Sequence, residues 1–220
     1  MLGAIVLAGG LSSRCGKNKA LIELNGKPLV RYVVDACQTV AGRIITVIGK
    51  DNDPQSYMCI LPSNVELISE RERRNNPLNG IAAGIEKLDT TYTLVLACDM
   101  PFIKSKILEL LLARATGFDA AVPIWPNGYL EPLHSVYSVE AIRRVLPSIL
   151  KNKNSRVADL IHSFDTIRYI ETEEIRKYDP HLMCFYNVND FEDLKIAKSM
   201  LEFVTPSIRA YEIPTSKSAC

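Results

Sequence analysis

Short apolar segments alternate with amphipathic segments along the amino-terminal half of the chain. Short runs of Val, Ile and Leu are typical of buried strands, whereas apolar residues at a spacing of three and four predict helices. The predicted strands are residues 3–8, 43–49, 65–68, 92–98 and 119–123. The predicted helices are residues 29–40, 81–88 and 103–115, with a short helix or loop at 51–58. This alternation predicts βαβ crossovers and a mostly parallel sheet of the α/β class.

The pattern changes after Pro123. Residues 128–137 predict a hairpin or an inserted antiparallel strand, and helices are expected at 138–151 and 155–164. The remaining predicted elements are strands at 167–170 and 184–189 and a closing helix at 191–203. The length of 220 residues suits one domain, which we assign to residues 1–204. The prolines and small polar residues of 205–220 predict a flexible tail.

Composition excludes several classes of function. The 26 Lys and Arg residues are balanced by 25 Asp and Glu residues, so a nucleic-acid partner is not expected. The six cysteines are scattered without a C-x-x-C pair, which favours a reduced intracellular chain. No apolar run reaches membrane-spanning length, and no signal peptide is visible. We therefore expect a cytoplasmic protein with no membrane partner.

The loop after the first strand carries the strongest chemical signal. Gly9 and Gly10 end the strand, and Arg14, Lys17 and Lys19 follow within ten residues. Glycines let backbone N–H groups approach a phosphate closely, and the cations complement its charge. The alternative is a tight turn after a core strand. The spacing matches neither the P-loop nor the G-x-G-x-x-G fingerprint.

Asp99 follows the strongest predicted strand after the first one and precedes Pro101. Ligands of open α/β sheets bind at the carboxyl ends of the strands, where this carboxylate can hold Mg²⁺ against nucleotide phosphates. The alternative is an N-cap for the next helix. Lys19 can neutralise charge on a transferring phosphoryl group, and Arg14 can bind phosphate oxygens bidentately.

Three further polar residues follow predicted strands. Asn187 and Asn189 alternate with Val188, so on a strand both amides face the same side, at a cost unless something binds them. Asn189 can complete the Mg²⁺ shell opposite Asp99, or an Asn189–Asp190 pair can form a turn that caps the last helix. Glu70 can contact a base or ribose, or merely end its strand.

Five segments together resemble the molybdenum cofactor guanylyltransferases over nearly the whole chain. They are LAGGLSSRCGKNKALIELNGKPL, NPLNGIAAGI, LVLACDMPF, YLEPLHSVYS and FYNVNDFEDL. The resemblance implies a Rossmann-like three-layer α/β/α sandwich with an antiparallel strand in its sheet. It also implies Mg²⁺-dependent transfer of GMP from GTP to a molybdopterin-type acceptor, with release of pyrophosphate. Proteins that mature molybdoenzymes are further expected partners.

The resemblance also implies roles for individual residues. The expected nucleotide-binding residues are Leu7, Ala8, Gly9, Gly10, Lys19, Glu70, Leu78, Gly80 and Asp99. The expected catalytic residues are Arg14, Lys19, Asp99 and Asn189. Asp99 and Asn189 would bind the metal, and Asn187 and Asn189 would face the acceptor.

The chain departs from the family pattern at four positions. Glu70 and Asn18 stand where Asp is usual, Cys15 replaces a frequent Met, and Gly49 replaces an Asn. These changes bear on base specificity rather than on phosphate and metal binding. Two alternatives therefore stay open, namely a related transferase that uses CTP or another acceptor and a non-catalytic nucleotide-binding module.

Overall fold

The described part of the chain alternates strands and helices, as the hydrophobic pattern predicted. A computed structural model describes residues 2–9, 18–71 and 76–204. The strands are β1 (Leu2–Leu7), β2 (Glu23–Leu24), β3 (Lys27–Pro28), β4 (Arg43–Ile48), β5 (Val65–Ser69), β6 (Tyr92–Ala97), β7 (Ala120–Ile124), β8 (His134–Ser138) and β9 (Ile167–Glu171). The α-helices are α1 (Leu29–Gln38), α2 (Pro54–Met58), α3 (Pro77–Lys87), α4 (Ser105–Ala115), α5 (Val139–Ile149), α6 (Val157–His162), α7 (Thr172–Ile175) and α8 (Phe191–Val204).

Seven strands form one sheet in the order β5-β4-β1-β6-β8-β7-β9. The pairs β5–β4, β4–β1, β1–β6 and β7–β9 are parallel. Strand β8 runs antiparallel to both of its neighbours, β6 and β7. The structure thus confirms a mostly parallel sheet with one antiparallel strand, which begins at His134 within the predicted segment 128–137 and ends at Ser138. Strands β2 and β3 form a separate small hairpin.

Helices cover both faces of this sheet. Along β1, Ala4 and Val6 pack into one buried cluster with residues of α1 and α4, whereas Ile5 packs into another with residues of α3 and α5. Successive strand residues face opposite sides, so a strand covered on both faces needs a continuous apolar run. This arrangement confirms the three-layer α/β/α sandwich.

The predicted strand at 184–189 is wrong. Met183–Phe185 forms a 3₁₀ turn, and residues 186–189 are irregular. Leu182 has a left-handed backbone with a φ of 51°, and the Cys184 N–H donates to buried Asp179 Oδ2 at 2.7 Å. Asp179 therefore folds this run into a turn, and the apolar side chains of Cys184, Phe185 and Val188 are buried without joining the sheet.

Two other boundaries differ from the prediction or are not tested. Helix α3 begins at Pro77 rather than at Ile81, because the Asn76 side chain accepts from the Leu78 N–H at 3.0 Å and Pro77 occupies the first turn. The tail assigned to 205–220 lies outside the described residues. No helix in the described ranges is long and apolar enough to cross a membrane.

Candidate active site

A cavity of about 270 Å³ opens at the carboxyl ends of β1 and β6. It brings together side chains and backbone that the sequence singled out in five separate places. The predicted residues that line it are Leu7, Gly9, Lys19, Glu70 and Asp99. Asn76, Pro77, Ala97, Cys98 and Leu133 complete the wall. The cavity occupies the position at which open α/β sheets bind ligands.

Lys19 joins two distant parts of the chain at this cavity. Its ammonium donates to Asp99 Oδ2 at 2.5 Å and to Asn189 Oδ1 at 2.9 Å, partners 80 and 170 residues away. The side chains of Lys19 and Asp99 are only 13% and 18% exposed. A pair so shielded from water interacts more strongly than a surface ion pair. Lys19, Asp99 and Asn189 therefore form one charged cluster, as their predicted roles require.

Asp99 does not cap the following helix. Helix α4 begins at Ser105, and Lys104 occupies its N-cap position. The Asp99 Oδ1 atom is buried and accepts no hydrogen bond from a described residue, while the Asp99 backbone oxygen accepts from Val188 N–H at 2.8 Å. A buried carboxylate oxygen without a partner is costly unless a ligand or ion satisfies it. This oxygen therefore fits a Mg²⁺ ligand.

The N-terminus of α8 leaves the Asn189 side chain free for Lys19. Asp190 Oδ1 accepts from the Glu192 and Asp193 N–H groups, and Asp193 Oδ2 accepts from Asn189 N–H at 2.7 Å. The predicted Asn189–Asp190 turn therefore caps the helix, through the Asp190 side chain and the Asn189 backbone N–H. The Asn189 side chain takes no part in the cap and accepts from Lys19 instead. The Asn187 amide donates to the Phe185 carbonyl at 3.1 Å, and its predicted contact with an acceptor stays a prediction.

Glu70 forms the opposite end of the cavity. Its Oε1 atom would lie 3.1 Å from a Cβ added at either Gly9 or Gly80. Such a Cβ would also lie 2.9 Å from Gly49 N or 2.7 Å from Leu7 Cδ2, respectively, so both positions need glycine for close packing. Burial raises the pKa of Glu70 from 4.5 to about 7. The carboxyl thus changes charge near neutral pH.

A hydrogen-bond chain connects Asn18 to Ala8 through Tyr57. Asn18 Nδ2 donates to Tyr57 Oη at 2.6 Å, and Tyr57 Oη donates to the Ala8 carbonyl at 2.9 Å. An Asp at position 18 has no N–H to donate, so it would compete with Ala8 for the tyrosine proton. Asn18, a departure from the family pattern, therefore suits this direction of the chain. Sequence reasoning missed Tyr57, a buried aromatic whose hydroxyl needs a partner.

The other predicted residues have less direct positions. Ala8 and Leu78 are fully buried, so only their backbone groups face polar partners. Gly10 and Arg14 lie outside the described residues. Trp125 is a packing contact, because its ring lies 5.7 Å from that of Phe185 and its Nε1 donates to Glu131 at 2.7 Å.

Comparison with known proteins identifies the family. Residues 4–166 match the model of the MobA-like NTP transferase domain. The chain belongs to this family. A probable molybdenum cofactor guanylyltransferase of Methanosarcina mazei is 32% identical over 197 residues, which cover 87% of this chain and 88% of that protein.

Solved structures of MobA-like and related transferases share the fold. Molybdopterin-guanine dinucleotide biosynthesis protein A of Archaeoglobus fulgidus superposes with a TM-score of 0.74 at 27% identity, covering 91% of this chain and 99% of that chain. The 2-C-methyl-D-erythritol 4-phosphate cytidylyltransferase of Thermus thermophilus gives 0.67 at 15% identity, with coverage of 92% and 100%. The second likeness concerns the fold alone, because a common fold does not establish a common substrate.

Three residues that line the cavity of this MobA-like protein were not selected from the sequence. Asn76, Pro77 and Leu133 line the cavity although none was expected to bind a ligand. Asn76 and Pro77 could have been found from the signature of a helix N-terminus, an Asn followed by Pro. Leu133 offered no such signal, since an apolar residue between two loops resembles any core position.

Proposed function

We propose that this chain transfers GMP from GTP to a molybdopterin-type molybdenum cofactor and releases pyrophosphate. The observation that carries the proposal is the Lys19 ammonium, which lies between Asp99 and Asn189 in a cavity beside Gly9. Family membership and the names of the relatives support the choice of reaction and substrates. The proposal includes a cytoplasmic location, which the free thiols of the four described cysteines favour.

The proposed reaction is an in-line displacement at the α-phosphorus of GTP. A phosphate oxygen of the acceptor forms a bond to this phosphorus as the bond to the bridging oxygen of the β-phosphate breaks. Pyrophosphate leaves with that bonding electron pair. Lys19 would neutralise charge on the reacting phosphates, and Arg14 is predicted to do the same. Positioning and charge stabilisation suffice, so no covalent enzyme intermediate is required.

The donor set fits the Mg²⁺ ion that this reaction class uses. Asp99 would hold it through the buried Oδ1 atom, with Asn189 Oδ1 as a neutral second ligand. The described ranges contain no cluster of three or more His, Cys, Asp or Glu side chains that could hold a metal. Mg²⁺ commonly takes only one or two protein carboxylates and completes its shell with water and phosphate oxygens. When bound, the ion would supply positive charge at the phosphates.

Glu70 would select the base. An ionised carboxylate offers two acceptors side by side, and the edge of guanine carries two adjacent N–H donors that match them. Cytosine carries only one amino group on the equivalent edge and presents acceptors beside it. Gly9 and Gly80 pack closely against the Glu70 carboxyl, which lines the cavity. We therefore assign guanine discrimination to Glu70.

Thermal unfolding with GTP, CTP, ATP and UTP, each with and without Mg²⁺, tests the proposal. Ligand at about 100 times its Kd should raise the Tm by roughly 5–10 °C for a chain of this size. We expect this shift with GTP, enlarged by Mg²⁺, and then pyrophosphate release when the molybdenum cofactor is added. A shift with CTP alone would instead indicate the related transferase. GTP binding without turnover on any acceptor would indicate a non-catalytic module.

A further inference from the structure

A second and larger cavity adjoins the candidate active site. Its volume is about 920 Å³, within the range of small-molecule sites, and it shares Asn76, Pro77 and Leu133 with the first cavity. These three residues therefore form the boundary between the two cavities. The volume of the first cavity, about 270 Å³, is small for a nucleotide and an acceptor together. The second cavity offers the additional room.

The charge of the second cavity favours an anionic ligand. Lys153, Arg156 and His162 line it, and no Asp or Glu side chain does so among the described residues. Neither Lys153 nor Arg156 forms an ion pair with a described carboxylate. A third cavity of about 350 Å³ beside Trp125 is lined instead by Glu171 and Glu173. An anion therefore has a clear electrostatic preference for the second cavity over the third.

The apolar part of the same wall suits a flat ring system. Tyr129 presents a side chain that is 63% exposed, with Leu130 and Pro132 next to it in sequence. The Tyr129 backbone is held in place, because its carbonyl accepts from Trp125 N–H at 2.8 Å and its N–H donates to Asn127 Oδ1 at 3.0 Å. An exposed aromatic ring on an anchored backbone is a platform for stacking.

Asn76 fixes the cationic loop to the active-site wall. Its Nδ2 atom donates to the Ser155 carbonyl at 3.0 Å, while its Oδ1 atom caps α3. Ser155 is itself buried and donates from its hydroxyl to the Ile149 carbonyl at 2.9 Å. The segment that carries Lys153 and Arg156 is thus tied to Asn76, one of the three residues that both cavities share.

We propose that the second cavity binds the acceptor substrate, which has a planar heteroaromatic ring and anionic groups. The ring system would stack beside Tyr129, anionic groups would pair with Lys153 and Arg156, and the reacting phosphate would extend past Leu133 toward Lys19. This inference rests on the proposed function, because only a group transfer to an anionic acceptor requires two adjoining sites. It assigns acceptor binding to residues on the loop between α5 and α6.

The test uses the full chain with Lys153→Gln and Arg156→Gln, alone and combined. Each contact lies near solvent, so we expect the KM for the molybdenum cofactor to rise about three- to tenfold per substitution. The Kd for GTP, measured without acceptor, should stay unchanged. Lys151→Gln is the matched control, because Lys151 is an exposed cation on the same loop that does not line the cavity.

A second variant tests the space rather than the charge. Ala158 lies half-buried on α6 and lines the cavity, so Ala158→Phe would place a ring in it without removing a cation. We expect a rise in the KM for the acceptor of tenfold or more with unchanged GTP binding and an unchanged Tm. This combination would not arise from a merely structural role of Ala158.

The outcomes separate this inference from the proposed function. If the wild-type chain transfers GMP and all four variants keep its acceptor KM, the second cavity is not the acceptor site. If the variants weaken GTP binding instead, the cavity belongs to the nucleotide, and the inference is wrong. If the wild-type chain neither binds GTP nor forms pyrophosphate, the proposed function fails, and the inference fails with it.

Discussion

Two carboxyl groups line the same cavity in contrasting surroundings. At one end, Asp99 accepts from the Lys19 ammonium at 2.5 Å, and its other oxygen is buried with no hydrogen-bond partner in the described part of the chain. At the other end, Glu70 packs between Gly9 and Gly80, and burial alone raises its pKa to about 7. No described residue forms an ion pair with Glu70, whereas a described cation holds Asp99.

The contrast indicates a division of labour within one site. A carboxylate beside a cation at a strand end is suited to charged ligands such as phosphates and a metal ion. A partly desolvated carboxyl without a cation is suited to a neutral ligand that brings its own N–H donors. We therefore assign catalysis to the Asp99 end and base discrimination to the Glu70 end, and the following predictions test this assignment.

Replacing Asp99 should have the largest effect. Asp99→Asn keeps the shape of the side chain but removes the charge opposite Lys19, so we expect kcat to fall by about 10²–10³. Turnover is measured as pyrophosphate release at saturating GTP and Mg²⁺. Asp89→Asn serves as the control, since the Asp89 side chain is 80% exposed and lies outside the cavity. Full turnover by the Asp99 variant would remove the central element of the proposed mechanism.

Replacing Glu70 should affect binding rather than turnover. Glu70→Gln exchanges one acceptor for a donor, so we expect the Kd for GTP to rise about tenfold and the preference over CTP to narrow. The kcat at saturating GTP should stay within a factor of about three. Glu66→Gln is the matched control, because Glu66 lies on β5, the strand that Glu70 directly follows, and pairs with Arg43 at 3.0 Å. A fall in kcat alone would contradict the division between the two ends.

The Glu70 end should also make GTP binding depend on pH. Only the ionised carboxylate accepts two hydrogen bonds, and its pKa in the free protein is about 7. We therefore expect the Kd for GTP to decrease as the pH rises through 7, and at pH 6 to lie about tenfold above its value at high pH. Glu70→Gln should abolish this dependence. An unchanged profile in the variant would assign the titration to another group.

The same pKa predicts a trend in the stability of the free protein. Glu70 has a pKa of 4.5 when unfolded and about 7 when folded, so the folded state binds more protons between these values. The free energy of unfolding should therefore decrease as the pH rises from about 4.5 to about 7 and then level off. Denaturant unfolding at a series of pH values measures this contribution, which Glu70→Gln should remove.

The smallest effect is expected for the hydrogen-bond chain that runs from Asn18 through Tyr57 to Ala8. Tyr57→Phe removes the hydroxyl between Asn18 and Ala8, and we expect it to lower the free energy of unfolding by about 1–2 kcal/mol. The KM for GTP should rise a few-fold, because Ala8 and Asn18, the neighbours of Gly9 and Lys19, are then no longer joined by hydrogen bonds. Tyr32→Phe is the control. The Tyr32 hydroxyl donates to the Leu24 carbonyl at 2.7 Å, and Tyr32 does not line the cavity. Equal effects of both variants on KM would contradict a positioning role for Tyr57.

Much of the fold could be predicted because its signals are local. A continuous apolar run such as β1 indicates a strand buried on both faces, and alternation with helices implies a parallel sheet. Gly9, Lys19 and Asp99 were selected in the same way, from residue types at predicted strand ends. The structure brings all three to one cavity.

The prediction failed where a side-chain contact, rather than the apolar pattern, determines the conformation. Residues 184–189 have the composition of a strand, but the buried Asp179 turns the chain by accepting from Cys184 N–H, and Lys104 pairs with Asp179 at 2.8 Å. The start of α3 shifted because one Asn side chain caps it. Such side-chain contacts override propensity and cannot be seen in an apolar pattern.

The sequence by itself determined the α/β class, the strand ends that carry the chemistry and the resemblance to a transferase family, since each depends on neighbouring residues. Only the tertiary structure brought Asn189 into hydrogen-bond contact with Lys19, 170 residues away in sequence. It also joined Tyr57 to Ala8 and formed a second cavity beside Leu133. These features depend on packing between distant segments. Chain folding brings such segments together, and no local spacing encodes their contact.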